Sequence, residues 1–488
     1  MAKNKQFTRP PKKQKAPAEP QTADEFQEAA DQEEETGGKW RAGDPAKSGR
    51  AFVRALEIYD KGLQRYRTSF DLAYNKARLE LEITQRSALV SHIGIPIVDL
   101  LKQTLQSHRY ALRLNEQNPD VLFNTSQVLT SLAEQLSEAG DSASAIPLLQ
   151  EALELLSACC SRQEMLLEQQ QADFADVEEG GVTLNMQDES DLQPASTPGS
   201  EGSGEMATVE SPITAADLLD TVHASLSALT TLVALVEHHA LGSLGDMAQS
   251  LTESKAPIYV NMLPESDRDS ATFAVALDRA NFVSAFADAQ FNAFMIEAET
   301  YLSRLEDVFN IANKDRDIVA LTSEAEARTE FTLSVLSRSS QSPDIPAESC
   351  WKQLKLAQDL YTAAIKLESS PRIYLSRGDV ELVRHRVATL PANIKLADSI
   401  RKSAPTLAQN AQTYYKGALR NAGGDEDGEV REKATERLTV VTRLRTAFHG
   451  IESEELKAQN GNLNDAIAEC IEEGLMNVEM AKAMMPKK

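Results

Sequence analysis

The chain has 488 residues and a formal net charge of −24, and only 5% of its residues are aromatic. Leu, Ala, Glu, Gln and Ser dominate the composition, and because such residues favour helix over sheet, it predicts an all-α protein. The excess of acidic residues argues against general affinity for nucleic acid, whose phosphates would be repelled. It suits a basic partner, although acidity can also serve only to keep a large protein soluble.

The N-terminal residues are polar and basic, without the apolar core of a signal peptide. The four cysteines are too few and too scattered for a disulfide framework. No window approaches the ~18 consecutive apolar residues of a membrane span. We therefore expect a chain of the cytoplasm or the nucleus that has no membrane partner.

Two segments have too few apolar residues to fold. Residues 1–48 form a predicted disordered tail that is first basic and then acidic. Its basic half could act as a nuclear localisation signal, although such runs are also common by chance; it contains Lys3, Lys5, Arg9, Lys12, Lys13 and Lys15.

The second segment lies inside the chain. Residues 163–254 contain seventeen Asp and Glu and no Lys or Arg. Their middle part, 175–212, is rich in Gly, Ser and Pro and predicts a disordered acidic loop. Its candidate contacts to a basic partner are Glu178, Glu179, Asp188, Glu189 and Asp191.

Apolar residues recur at helical spacing through the rest of the chain. The pattern predicts helices over 50–66, 70–85, 98–114, 120–138, 142–171, 214–240, 272–309, 317–337, 348–368, 373–388, 395–420, 428–448 and 463–484. We divide the chain into the tail 1–48, helical repeats over 49–174, the acidic loop 175–212, long helical hairpins over 213–345 and further repeats over 346–488.

One spacing recurs within these helices: a small residue, a ring or Leu four positions later, and a small residue three beyond that. The copies are Ala55/Tyr59/Gly62, Ala145/Leu149/Ala152, Ala357/Tyr361/Ala364 and Ala411/Tyr415/Ala418, with a degenerate copy at Thr104/His108/Ala111. All members of a copy share one helix stripe, where small residues allow a partner helix to approach. The alternative is that any Ala-rich bundle contains such spacings by chance.

This spacing, followed by a short turn and a new helix, resembles the second helix of a tetratricopeptide repeat (TPR) and the first helix of the next. The resemblance implies a TPR-like α-solenoid of antiparallel helix pairs whose first helices line a protein-binding groove. Asn75, Leu122 and Asn124 are the candidate groove residues. A clamp for a partner's C-terminal carboxylate is not expected, because residues 163–254 contain no Lys or Arg.

Sequence motifs of catalysis are missing from the chain. It has no Gly-rich phosphate loop, GxSxG elbow or HExxH helix. The adjacent pair Cys159-Cys160 could bind a metal or form a redox switch, but neighbours on a helix point ~100° apart, which favours a buried structural role. His238-His239 lacks the i,i+4 spacing of a shared metal site. We therefore expect a protein that is not an enzyme and has no cofactor or metal.

Two functions fit these observations. The first is a scaffold or escort chaperone for a basic client, such as a ribosomal protein or a histone, as in ribosome biogenesis. The second is a constitutive adaptor subunit of a larger complex. A third, RNA binding, would need a basic face, for which the sequence offers one interrupted stretch, equally explained as a dock for the acidic loop: Arg372, Arg377, Arg384, Arg386, Lys395, Arg401 and Lys402.

Overall fold

The computed structural model describes residues 19–179, 212–338, 346–424, 427–451 and 463–484. Within those ranges the chain forms helices joined by turns, and no strand occurs there, which confirms the all-α class. The chain divides into two compact units, Met1–Glu116 (unit 1) and Gln117–Lys488 (unit 2). The boundary between these units lies inside the predicted repeats 49–174, and the five-part division stays a prediction.

Unit 1 contains α1 (Ala23–Trp40), α2 (Pro45–Arg65), α3 (Phe70–Thr84), α4 (Ser87–Ile93) and α5 (Ile97–Leu114). Unit 2 begins with α6 (Pro119–Glu138), α7 (Ser142–Glu179), α8 (Ala215–Val233) and α9 (Leu241–Gln249). A π-turn (Ser250–Lys255) follows, then α10 (Ala256–Met262), α11 (Glu265–Asn292), α12 (Ala298–Val308) and α13 (Ile318–Arg338). The chain continues with α14 (Ala347–Leu367), α15 (Pro371–Ala388), α16 (Asp398–Lys402), α17 (Ala404–Asn421), α18 (Gly428–His449), α19 (Leu463–Glu472) and α20 (Val478–Met484).

Most helix ends lie within a few residues of the predicted ones, but several predicted helices are interrupted. The span 272–309 breaks between α11 and α12, where Phe294 adopts a positive φ of 59°. The spans 395–420 and 463–484 also break, and 214–240 ends as a regular helix at Val233. Apolar periodicity continues across a short turn, so it does not reveal such breaks.

The predicted disordered tail is wrong for the part that the structure describes. Residues 23–40 form α1, whose Phe26 and Ala30 are buried against α2. The acidic residues that suggested disorder are paired: Glu33 accepts hydrogen bonds from Arg54, and Glu34 from Tyr59. Residues 1–18, which include all six basic residues of the predicted localisation signal, lie outside the described residues.

The acidic loop is described only at its start. Helix α7 continues through residue 179, so 175–179 are helical rather than part of a loop. The side chains of Glu178 and Glu179 lie outside the described part of the chain. So do residues 180–211, which include Asp188, Glu189 and Asp191.

Every copy of the repeated spacing lies on a buried stripe. Tyr59, Leu149 and Tyr415 have no exposed surface, Tyr361 is 2% exposed, and the small residues around them are buried as well. The degenerate copy is also closed, because His108 at its ring position is 0% exposed. The stripes pack α6 against α7, α13 against α14, and α15 against α17. The spacing therefore marks helix contacts throughout both units.

Helix α7 contradicts one expectation from the sequence. Its stretch Ser142–Asp173 is long and apolar enough to cross a membrane by length and composition alone, whereas no such window was expected. Its buried residues Ala145, Leu149 and Leu153 belong to a core shared with α8, and α7 also packs against α6. Packing in the protein core therefore accounts for this apolar face.

We expect Ala152→Arg to destabilise unit 2 strongly. Ala152 is 0% exposed, so the longer side chain would overpack a helix contact and bury an unpaired charge. The cost should be on the order of 3 kcal/mol or more. Thermal and urea unfolding measure it, with Ala158→Arg as control, because Ala158 is exposed on the same helix. Equal stability of the two variants would show that this stripe is not a packing surface.

Candidate protein-binding face

Hydroxyl groups of buried tyrosines in unit 2 reach acidic side chains on helices earlier in the chain. Tyr415 of α17 donates a hydrogen bond to Asp379 of α15 at 2.7 Å. Tyr301 of α12 donates to Asp288 of α11 at 3.3 Å, and Ser334 donates to the same oxygen at 2.5 Å. A buried phenol requires a hydrogen-bond partner, and here each phenol holds a carboxylate in place.

Two further acidic residues complete what we name the acidic row: Asp288, Glu326, Glu330 and Asp379. Glu326 and Glu330 lie one turn apart on α13, which packs against α11 and contacts α15. The Tyr361 hydroxyl group interacts with both Glu326 and Asp379, and Tyr301 interacts with both Asp288 and Glu330. Asp288 also acts directly on Glu330, so the row runs across α11, α13 and α15 with Tyr301 and Tyr361 between its members.

The surroundings disfavour the charged form of every member of the row. Burial raises the pKa of Glu330 to about 7, and the neighbouring Asp288 adds to the shift. Burial also raises the pKa of Asp379 to about 6, against the opposing effect of Arg437. The pKa values of Asp288 and Glu326 are raised by burial as well. Loss of hydration is the dominant cause in each case.

Glu326 and Glu330 nevertheless touch solvent, since both residues are exposed. Neighbouring helices remove part of the hydration of these exposed carboxylates, which raises the pKa of both groups. The two side chains are also like charges at i,i+4, an arrangement that costs free energy. This part of the row is therefore open to a ligand and poorly solvated.

Cations neutralise the row unevenly. At the α15 end, the buried Arg437 lies 3.8 Å from Asp379 and 3.3 Å from Glu469, and Lys433 lies 2.8 Å from Glu473. At the α13 end, no residue within the described ranges forms an ion pair with Glu326 or Glu330. Arg372 is near enough only to lower the pKa of Glu326 in part. Negative charge thus remains uncompensated on α13.

The predicted groove residues are distributed over both units. Asn75 lies on α3 of unit 1, half-buried, whereas Asn124 lies on α6 of unit 2, half-buried and with a polar partner. Leu122 is 5% exposed and contributes mainly to packing. Their role in binding stays a prediction. Sequence reasoning missed the acidic row, for which the only local signal was the i,i+4 pair Glu326 and Glu330.

Four of the seven residues in the basic stretch proposed for RNA binding have partners within the fold, and the other three, Arg372, Lys395 and Lys402, are exposed. Arg377 is 1% exposed and pairs with Glu381 at 2.8 Å, and Arg384 pairs with the same carboxylate. Arg386 donates to the backbone oxygen of Gly474, and Arg401 to that of Ile394. Because these guanidinium groups satisfy partners within the fold, they do not form the basic face that RNA binding would need.

The histidine pair His238-His239 is not part of a metal-binding arrangement in the described residues. His239 lies 3.4 Å from Glu237 at the short 3-10 turn His238–Ala240, and both side chains of this ion pair are largely exposed. Within the described ranges, no group of three or more His, Cys, Asp or Glu side chains is arranged to hold a metal ion.

Comparison with known proteins gives limited likeness. No protein-family model matches the chain. The UPF0656 protein C926.02 of Schizosaccharomyces pombe is 35% identical over 153 residues, which is 31% of this chain and 33% of that protein. The chain therefore matches about a third of the length of this curated relative.

Three solved structures resemble the chain weakly. One is the S. pombe nuclear import adaptor Nro1, with 13% identity, a TM-score of 0.27, and coverage of 75% of this chain and 99% of that chain. Another structure of Nro1, described as a hypoxic regulator of sterol synthesis and nuclear import adaptor, has 12% identity, a TM-score of 0.29 and coverage of 83% and 99%. A circular tandem repeat protein has 14% identity, a TM-score of 0.29 and coverage of 94% and 98%. Likeness at this level supports no assignment of function.

We expect Glu330→Gln to raise the melting temperature more at pH 8 than at pH 5. The folded-state pKa of Glu330 is raised to about 7 from an ordinary 4.5. Its contribution to stability is therefore full at low pH and is lost as pH rises through 7. Gln keeps the neutral form at every pH. Calorimetry at both pH values tests this, with Glu306→Gln on the exposed surface of α12 as control. If Glu330→Gln raised the melting temperature equally at both pH values, the raised pKa of Glu330 would be contradicted.

Proposed function

We propose that this chain is a non-enzymatic scaffold or escort that binds a basic segment of another protein on the acidic row. The observation that supports this most directly is the pair Glu326 and Glu330, which are exposed, poorly hydrated and without an ion-pair partner in the described structure. A Lys or Arg side chain of a client would supply the missing cation. The TPR-like arrangement of first helices proposed from the sequence would present the row to an extended segment.

The physical chemistry of the row gives such binding three properties. Association should be fast and sensitive to salt, because exposed charges are screened over a Debye length of ~8 Å at physiological ionic strength. It should weaken at low pH, because protonation of Glu330, whose pKa is about 7, removes the attracting charge. Binding of a cation should in turn release protons from the row.

The client class that fits is a basic protein such as a ribosomal protein or a histone, bound in the cytoplasm or the nucleus. The second candidate is a constitutive adaptor subunit, in which the helices form permanent contacts and the row remains solvated. No single contact favours the adaptor function. It predicts that the affinity for the partner does not change with salt concentration or pH. Salt dependence therefore separates the two.

The double variant Glu326→Gln/Glu330→Gln should lose affinity for an Arg- and Lys-rich probe peptide. Removing two attracting charges should weaken binding by about tenfold at low salt and flatten the dependence of log Kd on log salt. Fluorescence anisotropy at 50 and 300 mM salt and at pH 6 and 8 measures both effects. The control is Glu299→Gln/Glu306→Gln, an equal change of charge at exposed positions on α12. Equal loss in both variants would point to net charge alone and reject the row as the site.

Deleting residues 180–211 should reduce the rate of capture while leaving the melting temperature unchanged. This segment contains six acidic and no basic residues, so it would extend the negative field that steers a basic client. Stopped-flow association at low salt tests the prediction against a deletion variant in which 180–211 is replaced by a Gly/Ser linker of the same length. An unchanged association rate in the neutral-linker protein would exclude a steering role for this segment.

A further inference from the structure

The two adjacent cysteines of α7 have different surroundings. Cys159 has no exposed surface, and its Sγ lies 3.4 Å from the backbone oxygen of Pro119 and 3.9 Å from Thr221 Oγ1. Burial raises the pKa of the Cys159 thiol to about 12. Cys160 faces another direction, where its Sγ lies 3.4 Å from both Lys255 Nζ and Tyr259 Oη. Cys160, which is 5% exposed, therefore has a cation and a phenol beside its sulfur atom, whereas the neighbours of Cys159 are neutral.

Those donors are held in position by one carboxylate. Glu164, one helical turn after Cys160, accepts a hydrogen bond from Lys255 at 2.8 Å and another from the Tyr259 hydroxyl group. Lys255 is the last residue of the π-turn, a local feature that often accompanies functional sites. The ammonium and phenol groups thus remain beside the sulfur atom, while Glu164 balances the charge of Lys255.

A cavity of about 170 Å³ opens beside this cluster. Cys160 and Lys255 form part of its wall, and most other lining groups are apolar, including Leu153, Val222 and Met247. Met247 is 41% exposed and lies where the cavity meets solvent. A cavity of roughly 150 Å³ with apolar walls can admit a molecule of the size of benzene, so a small, largely apolar ligand fits here.

We propose that Cys160 is a covalent modification site for small, largely apolar α,β-unsaturated carbonyl compounds that enter this cavity. Sγ adds to the β-carbon of the compound, so a C–S bond forms while the C=C π bond breaks. The electron pair moves to the carbonyl oxygen as an enolate, beside the Lys255 ammonium group, a cationic donor that stabilises such an oxyanion. The α-carbon of the enolate then takes up one proton, which balances the proton lost by the thiol. No oxidant is required.

The other cysteines provide references within the same chain. Cys350 and Cys470 are 0% exposed, like Cys159, and burial raises the pKa of each thiol to about 12. A buried thiol of this kind reacts slowly because it remains protonated and closed to reagents. Labelling confined to Cys160 would therefore report the native structure, whereas labelling of all four would report unfolding.

The test uses the full-length chain with cyclohex-2-enone as the probe, followed by peptide mapping with mass spectrometry over time. We expect Cys160 to be labelled at least ~10-fold faster than Cys159, Cys350 and Cys470. Lys255→Met should slow labelling of Cys160 by about tenfold, and Lys255→Arg, which keeps the cation, should slow it much less. Met247→Trp should slow labelling by narrowing the opening, whereas Met247→Leu should leave the rate unchanged.

Two results would overturn the proposal. Labelling of Cys159 as fast as Cys160 would show that reaction requires local unfolding rather than the cavity. A rate for Lys255→Met equal to that of the unaltered chain would show that the cation has no part in the reaction. Melting temperatures of all variants are measured in parallel; if Lys255→Met is unfolded, the comparison between Met247→Trp and Met247→Leu decides the outcome.

Discussion

Close approach between helices depends in this protein on small residues at fixed positions opposite aromatic rings. A Cβ atom added to Gly378 would lie 2.4 Å from Cε1 of Tyr415, and one added to Gly37 would lie 2.4 Å from Cε1 of Phe52. Neither distance is tolerated without movement of a helix. Since Gly378 immediately precedes Asp379, the same contact that packs the Tyr415 ring brings its hydroxyl group to the carboxylate. Packing and the position of charge are thus determined together.

The extent to which sequence predicts this arrangement follows from the range of the interactions. Helix stripes are local, so their spacing predicted the buried positions in both units, including Tyr59 and Tyr415. Helix α1 was missed because its acidic residues are neutralised by arginines far along the chain; Glu34 accepts from Arg78, 44 residues away. The net charge of a short sequence window does not include the distant arginine, so it does not reveal such a pair. The acidic row depends on the same kind of distant contact, since it joins residues 288 to 379 across three helices.

The basic stretch on α15 shows the opposite error, because a local signal was available there. Arg377 and Glu381 are separated by four residues, a spacing that forms an ion pair on a helix, and Arg384 lies three residues further. The structure contains both contacts in its interior. One buried carboxylate between two guanidinium groups leaves a net positive charge there. Arg377 lies over the ring of Tyr414 and Arg384 over the ring of Trp351, each with its guanidinium carbon 4.5 Å from the ring centre. Aromatic packing therefore holds cations that a linear sequence presents as available.

Uneven compensation of charge connects the stability of the fold with its proposed function. Burying a carboxylate is costly unless a cation or hydrogen bonds accompany it, and at the α15 end Arg437 and Tyr415 meet that requirement for Asp379. At the α13 end, the part of the chain that the structure describes provides no equivalent cation, although Ala325 and Phe331 on the same helix are fully buried. Packing alone would be satisfied equally well by neutral residues at 326 and 330. Among the described residues, Glu326 and Glu330 have no ion-pair partner, and their raised pKa values reduce stability at neutral pH; at sites of this kind a ligand's charge has the greatest effect.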